Sequence, residues 1–361
     1  MSTEEDKERL MNQILGKGGG RRASDVKPVS VMSTGIWTLD RMVLGGGIML
    51  GRMIELAGET GSGKTTFAMH LAAKMQREGG LIGWVDAETS FDPEWAMKTG
   101  LDPTTVMLRD FGSGEDLLRW VKSLVVLFGE GVGKGLIIVD SVAGLIPQIV
   151  VDRENEHMKM NEQQARATML GAFCADMIST FKVKNTDLGI DGYFRMGNYD
   201  VSIVFINHLK EGMPNFQGGP PKNYTSGGSI KNFAAAQRLW MYRRGRSKEV
   251  MGDGVGVRKI NVRFKTDKNR LAPPFARHDL LLDHELATFE EDHAFLLDES
   301  VRLGLAEKSG SWITIAGFDK FQGVEKFKMF CEEHPEFLER VVSGSGQAQT
   351  PDGSTCSESV T

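Results

Sequence analysis

The residues Gly58-Glu59-Thr60-Gly61-Ser62-Gly63-Lys64-Thr65 match the phosphate-binding pattern G-x-x-x-x-G-K-[ST]. The pattern constrains a fold only when an apolar strand leads into it and a helix leads out. Here Met53-Ile54-Glu55-Leu56-Ala57 reads as the strand, and residues 64–77 carry helical periodicity through Phe67, Ala68 and Met69. The residue types then supply the chemistry. Gly58, Gly61 and Gly63 let backbone N–H groups converge on phosphate oxygens at a helix N-terminus. Lys64 brings a positive charge to the β- and γ-phosphates, and the Thr65 hydroxyl is a ligand for Mg²⁺. The candidate nucleotide contact runs from Gly58 through Glu59, Thr60, Ser62 and Thr65 to Thr66, with ATP and Mg²⁺ as the cofactors.

Downstream, short apolar runs alternate with helical stretches: Leu81 to Val85, helices 93–98 and 114–127, Leu136 to Val139, helix 161–181, and Val201 to Ile206. Such alternation predicts a parallel sheet covered on both faces. Longer strands follow at Gln237 to Tyr242, Val257 to Lys265 and His278 to Leu282, which suits antiparallel or mixed pairing at one side of the sheet. Leu136-Ile137-Ile138-Val139-Asp140 reads as a companion strand with an acid at its carboxyl end, where α/β sheets place their sites. Asp140 is expected to hold the Mg²⁺ through water. Leu81 to Val85 ends in Asp86-Ala87-Glu88, and spacing alone does not choose which acid orients a water for attack on the γ-phosphate. Asp92-Pro93 reads as a helix start, an N-cap followed by Pro at the first helical position, with Trp95 just behind.

The predicted organisation is an N-terminal oligomerisation helix and linker (1–32), a nucleotide-binding core with mostly parallel sheet (33–283), a small, mainly helical α+β unit around Trp312-Ile313-Thr314-Ile315 (284–342), and a tail (343–361) whose Gly, Ser, Gln and Thr predict disorder. The first helix, residues 4–16, puts Leu10, Met11, Ile14 and Leu15 on one face and is too short to persist unpacked. The net charge of −5 means that polyanions would have to be met by local basic surfaces. Cys174, Cys331 and Cys356 lie far apart without metal-ligand spacing, which fits a reducing compartment. With no charged-then-apolar leader and no long apolar run, the sequence predicts a cytoplasmic protein with no membrane association.

These segments resemble the RecA recombinase family over roughly residues 33–341. The resemblance is carried by Ser33-Thr34-Gly35 with Leu39-Asp40, Gly46-Gly47-Ile48, Gly51-Arg52, the phosphate loop, Asp86-Ala87-Glu88 with Phe91-Asp92-Pro93, Val139-Asp140-Ser141-Val142-Ala143, and Lys268-Asn269-Arg270-Leu271-Ala272-Pro273-Pro274-Phe275. It implies a P-loop NTPase fold with a RecA-like core, Glu88 as the catalytic carboxylate, Asp92 on the adenine and Trp95 stacked against it. It implies too that Lys268 and Arg270 reach the γ-phosphate held by a neighbouring subunit, so that nucleotide sits at a subunit boundary of a helical filament. Leu10, Ile14 and Leu15 would then dock on the adjacent copy.

Two segments resemble the family's DNA loops. The first, residues 152–166, places Met158 and Arg166 on matching positions; the second, Leu209 to Gly228, carries Lys210, Lys222, Gly227 and Gly228. Arg243, Arg263 and Lys265 match a secondary DNA site, although bare sequence reads them equally well as solvent-facing strand cations. Four departures stand out. His208 follows Asn207 where most of the family has glutamine, and an imidazole, with an ordinary pKa of about 6.5, makes that position sensitive to pH. Asn232 stands where the family has an interface lysine. An insertion occupies Thr186 to Phe194, and the tail has few acids. Together these suggest a divergent bacterial or bacteriophage member.

The expected function is an ATP-dependent recombinase, a DNA-dependent ATPase that forms filaments on single-stranded DNA and pairs it with double-stranded DNA, aided by single-strand-binding and loader proteins. A RecA-fold helicase or motor is the alternative from the same core; a mediator that binds nucleotide and DNA without exchanging strands is the alternative from a different class.

Overall fold

A computed structural model describes residues 4–18, 22–25, 28–152, 162–210, 224–225, 234–244 and 259–345. Its strands are β1 (Val31–Met32), β2 (Ile48–Met49), β3 (Met53–Gly58), β4 (Leu81–Asp86), β5 (Val106–Arg109), β6 (Lys134–Asp140), β7 (Phe181–Asn185), β8 (Ile190–Phe194) and β9 (Asp200–Lys210). They continue as β10 (Tyr224–Thr225), β11 (Gln237–Arg244), β12 (Lys259–Asn269), β13 (Arg277–Asp283), β14 (Thr288–Glu290), β15 (Ala306–Ser309), β16 (Trp312–Ile315) and β17 (Phe321–Gln322).

Ten of these strands make one sheet in the order β14-β13-β12-β11-β3-β9-β6-β4-β5, with β10 added on β9. From β11 to β5 every neighbouring pair is parallel. From β11 to β14 every pair is antiparallel. The parallel strands are buried on both faces, which explains why β6 reads as an apolar run from Leu136 to Val139 and β3 as one interrupted only by the buried Glu55. One face packs Ile54, Leu56, Trp84, Ile138 and Ile206 against Phe67, Leu71 and Met75 of the helix Lys64–Arg77. The other packs Val85, Ile137, Val139 and Ile203 against the helices Gly114–Gly131 and Glu162–Ile178. A capping box fixes the start of the helix Gly114–Gly131: Ser113 Oγ accepts from the Asp116 N–H, and the Asp116 carboxylate accepts from the Ser113 N–H.

Three expectations change. The helix expected over 161–181 ends at Ile178, and residues 181–194, which include the expected insertion, form an antiparallel hairpin of β7 and β8. Phe181 and Val183 are buried and alternate with exposed Lys182 and Lys184. That period of two marks a half-buried strand and was masked by extending the helical pattern too far. The large sheet also continues past residue 283, because β14 pairs with β13 and buries Phe289 beside Phe67 and Phe264. The C-terminal unit is less helical than expected, since an antiparallel sheet of β15, β16 and β17 accompanies the helices His293–Arg302, Val324–Glu333 and Pro335–Ser345 around Leu296, Ile313, Phe327 and Phe337.

The N-terminal helix spans Glu4–Gly18 and leaves Leu10, Met11 and Ile14 exposed. Cys174 and Cys331 are buried. Among the described residues no helix is long and apolar enough to cross a membrane.

Candidate nucleotide site and the opposite end of the sheet

Parallel strands bring their carboxyl ends to one edge, and that edge gathers the candidate site. The phosphate loop leaves β3 at Gly58. Gly63, at φ +83°, caps the helix Lys64–Arg77, a left-handed conformation that favours glycine, and a Cβ there would also push on the Leu282 methyl 2.6 Å away. Lys64 is buried, and its Nζ donates to the Glu59 carbonyl at 2.8 Å. Burial lowers the affinity of this ammonium for its proton, against the pull of Asp140, Glu88 and Glu59. The Ser62 hydroxyl donates to the same Glu59 carbonyl.

Asp140, at the end of β6, accepts from the Thr65 hydroxyl at 2.8 Å. Burial pushes its carboxyl up to about 6, and Glu88 and Asp86 push the same way against the Thr65 hydrogen bond and Lys64. A buried acid crowded by two others fits a site meant to receive a divalent cation, which takes oxygen ligands such as a hydroxyl and a carboxylate. Among the described residues no group of three or more His, Cys, Asp or Glu side chains forms a complete metal cage. A Mg²⁺ here would depend on water and phosphate oxygens for its other ligands.

The two acids at the end of β4 and just past it separate cleanly. Asp86 is buried and accepts from the backbone N–H of Ser90 at 3.0 Å and of Phe91 at 2.8 Å, which ties its carboxylate to the turn. Glu88 is half-exposed, accepts from the Ser141 hydroxyl, and lies 3.4 Å from His208 Nε2. Thus β4, β6 and β9 place Glu88, Ser141 and His208 together. The sequence reading overlooked Ser141, although it adjoins Asp140 in the companion strand. Asp92 caps the helix Pro93–Lys98 by accepting from the Glu94 and Trp95 N–H groups. Trp95 packs partly on the core and donates from Nε1 to the Thr66 hydroxyl at 3.1 Å, beside the phosphate loop.

Lys268 and Arg270 lie elsewhere. Because β12 runs antiparallel to β11, its end lies beside the start of β11 and of β3, at the edge of the sheet opposite the phosphate loop. Burial and the neighbouring Arg270 and Arg238 lower the Lys268 pKa. At the join of the two halves, buried Arg238 of β11 binds Glu55 of β3 at 2.6 Å and also Asp267 of β12. Asn207 of β9 donates to Glu55 at 2.9 Å, which ties the residue preceding His208 to the same network.

The candidate DNA residues are dispersed. Arg166 is buried, bonded to the Leu145 carbonyl at 2.9 Å and paired with Glu162 at 2.5 Å. Arg263 forms a two-pronged pair with Asp279, at 2.5 and 2.7 Å. Lys265 lies over the Phe275 ring, and Arg243 is exposed at the end of β11. Met158, Lys222, Gly227 and Gly228 lie outside the described residues, as does the Lys210 side chain.

The family model described as RecA N-terminal domain matches residues 8–285. The chain belongs to the RecA family. Similar relatives, each named Protein RecA, include one from Arthrobacter sp. (strain FB24), 33% identical over 341 residues, 92% of this chain and 88% of that one. Another, from Paenarthrobacter aurescens (strain TC1), is 31% identical over 373 residues, 98% of each chain. A third, from Bifidobacterium breve, is 32% identical over 341 residues, 92% of this chain and 77% of that one. As a member, the protein is a DNA-dependent ATPase with a recombinase role in recombination and repair; it binds nucleotide and DNA and forms filaments.

Proposed function

We propose that the protein binds ATP with Mg²⁺, polymerises on single-stranded DNA and exchanges that strand with a homologous duplex, in the cytoplasm of its cell or host. The observation that carries this reading is the convergence of Lys64, Thr65, Asp140, Glu88 and His208 at one edge of the sheet, with a second set of cations, Lys268 and Arg270, at the other. The split arrangement suits a triphosphate shared between two copies stacked head to tail.

On this reading Gly58 through Thr66 cradle the triphosphate, with Lys64 on its β- and γ-phosphates. Thr65 and Asp140 hold the cation, which when bound neutralises developing charge on the phosphates. Glu88 accepts a proton from the attacking water, oriented by the Ser141 hydroxyl. His208 donates to the γ-phosphate and reports its presence to the segment after β9. Asp92 and Trp95 take the adenine. Lys268 and Arg270 of the adjacent copy close the site. The exposed Leu10, Met11 and Ile14 face docks on a neighbour. Met158, Arg166, Lys210, Lys222, Gly227 and Gly228 contact the primary strand, and Arg243, Arg263 and Lys265 the duplex. Arg166 and Arg263 must first exchange their present carboxylate partners for phosphates.

Strand exchange between a circular single strand and a homologous linear duplex, with and without ATP, tests this reading. Joint molecules are expected only with nucleotide; ATP-dependent unwinding without pairing would favour a motor instead.

A further inference from the structure

The β7–β8 hairpin leads into the wall of a cavity of about 560 Å³ at the edge of the sheet opposite the phosphate loop. Three segments converge there: Gly51 to Met53 at the entry to β3, Met177 to Thr180 at the end of a helix, and Arg195 to Asn198 just after β8, with Ala234 and Arg270 completing the wall. The lining contains three arginines, Arg52, Arg195 and Arg270, and no acid. In a chain of net charge −5 this is a concentrated positive site.

The arginines keep donors to spare. Each guanidinium has five N–H donors. Arg195 spends Nε on the Thr180 hydroxyl at 2.9 Å, and Arg52 spends Nη1 on the Gly51 carbonyl at 2.7 Å. Among the described residues none of the three pairs with a carboxylate. Gly197 leaves room for one of them, since a Cβ there would stand 3.1 Å from Arg52 Nη1. The hairpin is also built to hold its exit in place. Phe181, Val183, Ile190 and Met196 are buried in the core beneath the helix Gly114–Gly131, and Arg195 is fixed between Met196 and its bond to Thr180.

We propose that Arg52 and Arg195, beside Arg270, form an anion pocket for the phosphates of the nucleotide held on the phosphate loop of an adjacent copy, and that the β7–β8 hairpin positions Arg195, the residue after its second strand, in that pocket. The proposal rests on the shared-triphosphate reading above and adds two binding residues to it. The loop and the pocket stand at opposite ends of β3, about 17 Å apart at ~3.3 Å per residue, so head-to-tail stacking brings one copy's pocket over the next copy's loop. Guanidinium forks match phosphate oxygens, and arginines from three segments surround such a group more fully than one could.

The test measures the concentration of a nonhydrolysable ATP analogue needed for half-maximal filament assembly on single-stranded DNA, together with KM and kcat for ATP. Arg195→Ala, Arg195→Lys, Arg52→Ala and Arg270→Ala are compared with the parent. Arg195→Ala is expected to raise the half-assembly concentration and KM about tenfold, the loss of one charge-assisted hydrogen bond, with kcat little changed. Arg195→Lys should recover part of the loss. If Arg195→Ala lowers the melting midpoint, Arg195→Gln, which keeps a donor for Thr180, takes its place with the same expectation. Assembly and KM like the parent's in both the Arg195 and Arg52 variants, while Arg270→Ala fails, would overturn the pocket and leave the shared site standing. Parent-like behaviour of Arg270→Ala would instead overturn the shared site.

Discussion

The parallel and antiparallel halves of the large sheet do opposite things with the same kind of strand. In the parallel half β3, β4, β6 and β9 deliver their last residues to one edge, so Gly58, Glu88, Asp140 and His208 meet although 150 residues separate the first from the last. In the antiparallel half direction alternates, and β12 carries Lys268 and Arg270 to the other edge. The reversal gives a single chain two complementary ends that cannot meet within one copy. The burial patterns differ accordingly: β6 is apolar and buried almost throughout, whereas β12 alternates buried and half-exposed positions and offers Arg263 and Lys265 on its outer face.

Mixing two inactive variants is the strongest way to break this comparison. Lys64→Ala should cut ATP turnover by at least ~100-fold, and Arg270→Ala should also turn over poorly. An equimolar mixture should regain activity at about a quarter of its interfaces, where an intact loop meets an intact cation pair. A mixture as inactive as its parts, measured by phosphate release on single-stranded DNA, would place the whole site within one copy.

The join between the halves should show the next largest effect. Arg238→Leu leaves Glu55 buried without its cation, and urea unfolding should show a loss of about 3–5 kcal/mol. A loss below about 1 kcal/mol would mean that the two halves are held by packing alone.

At the catalytic edge, phosphate release on single-stranded DNA should fall about tenfold in His208→Ala, which loses the side chain 3.4 Å from Glu88, and less in His208→Gln, which keeps a donor. Parent-like turnover of His208→Ala on single-stranded DNA would remove His208 from the switch.

The smallest effect is on stability and belongs to the helix behind the loop. His70 hydrogen-bonds the Thr34 carbonyl at 2.8 Å, and burial, with Arg77 and Lys74, lowers its pKa below 6.5 against that bond. The folded state therefore binds this proton less tightly than the unfolded state. The stabilisation is present above about pH 6.5 and is lost as pH falls through the lowered value. Acid unfolding of His70→Gln should begin at lower pH and rise less steeply; an unchanged slope would assign the acid limb to His278, His284 and His293, which shift in the same direction.

Much of this architecture was legible because its signals are local. The starts of β3, β4, β6, β9 and β11, the Asp92-Pro93 start and the helix Lys64–Arg77 are set by residues within one or two turns of each other, and all fall within two residues of where expected. The hairpin β7–β8 was legible too, in Phe181-Lys182-Val183-Lys184, but a helical pattern continued into it and hid the change of period. The choice between Asp86 and Glu88 was not. Which carboxylate stays available depends on which one the Ser90 and Phe91 N–H groups capture, and spacing does not encode that capture.

By itself the sequence determined the nucleotide-binding strand, loop and helix, the acids at the strand ends and the family, because each rests on residue type and short-range order. Only the tertiary structure decided that Ser141 and His208 flank Glu88, that Arg238 clamps three strands through Glu55 and Asp267, and that Arg52, Arg195 and Arg270 share one cavity. Those meetings follow from strand order and direction, and residues far apart in the chain acquire a common surroundings only when the sheet closes around them.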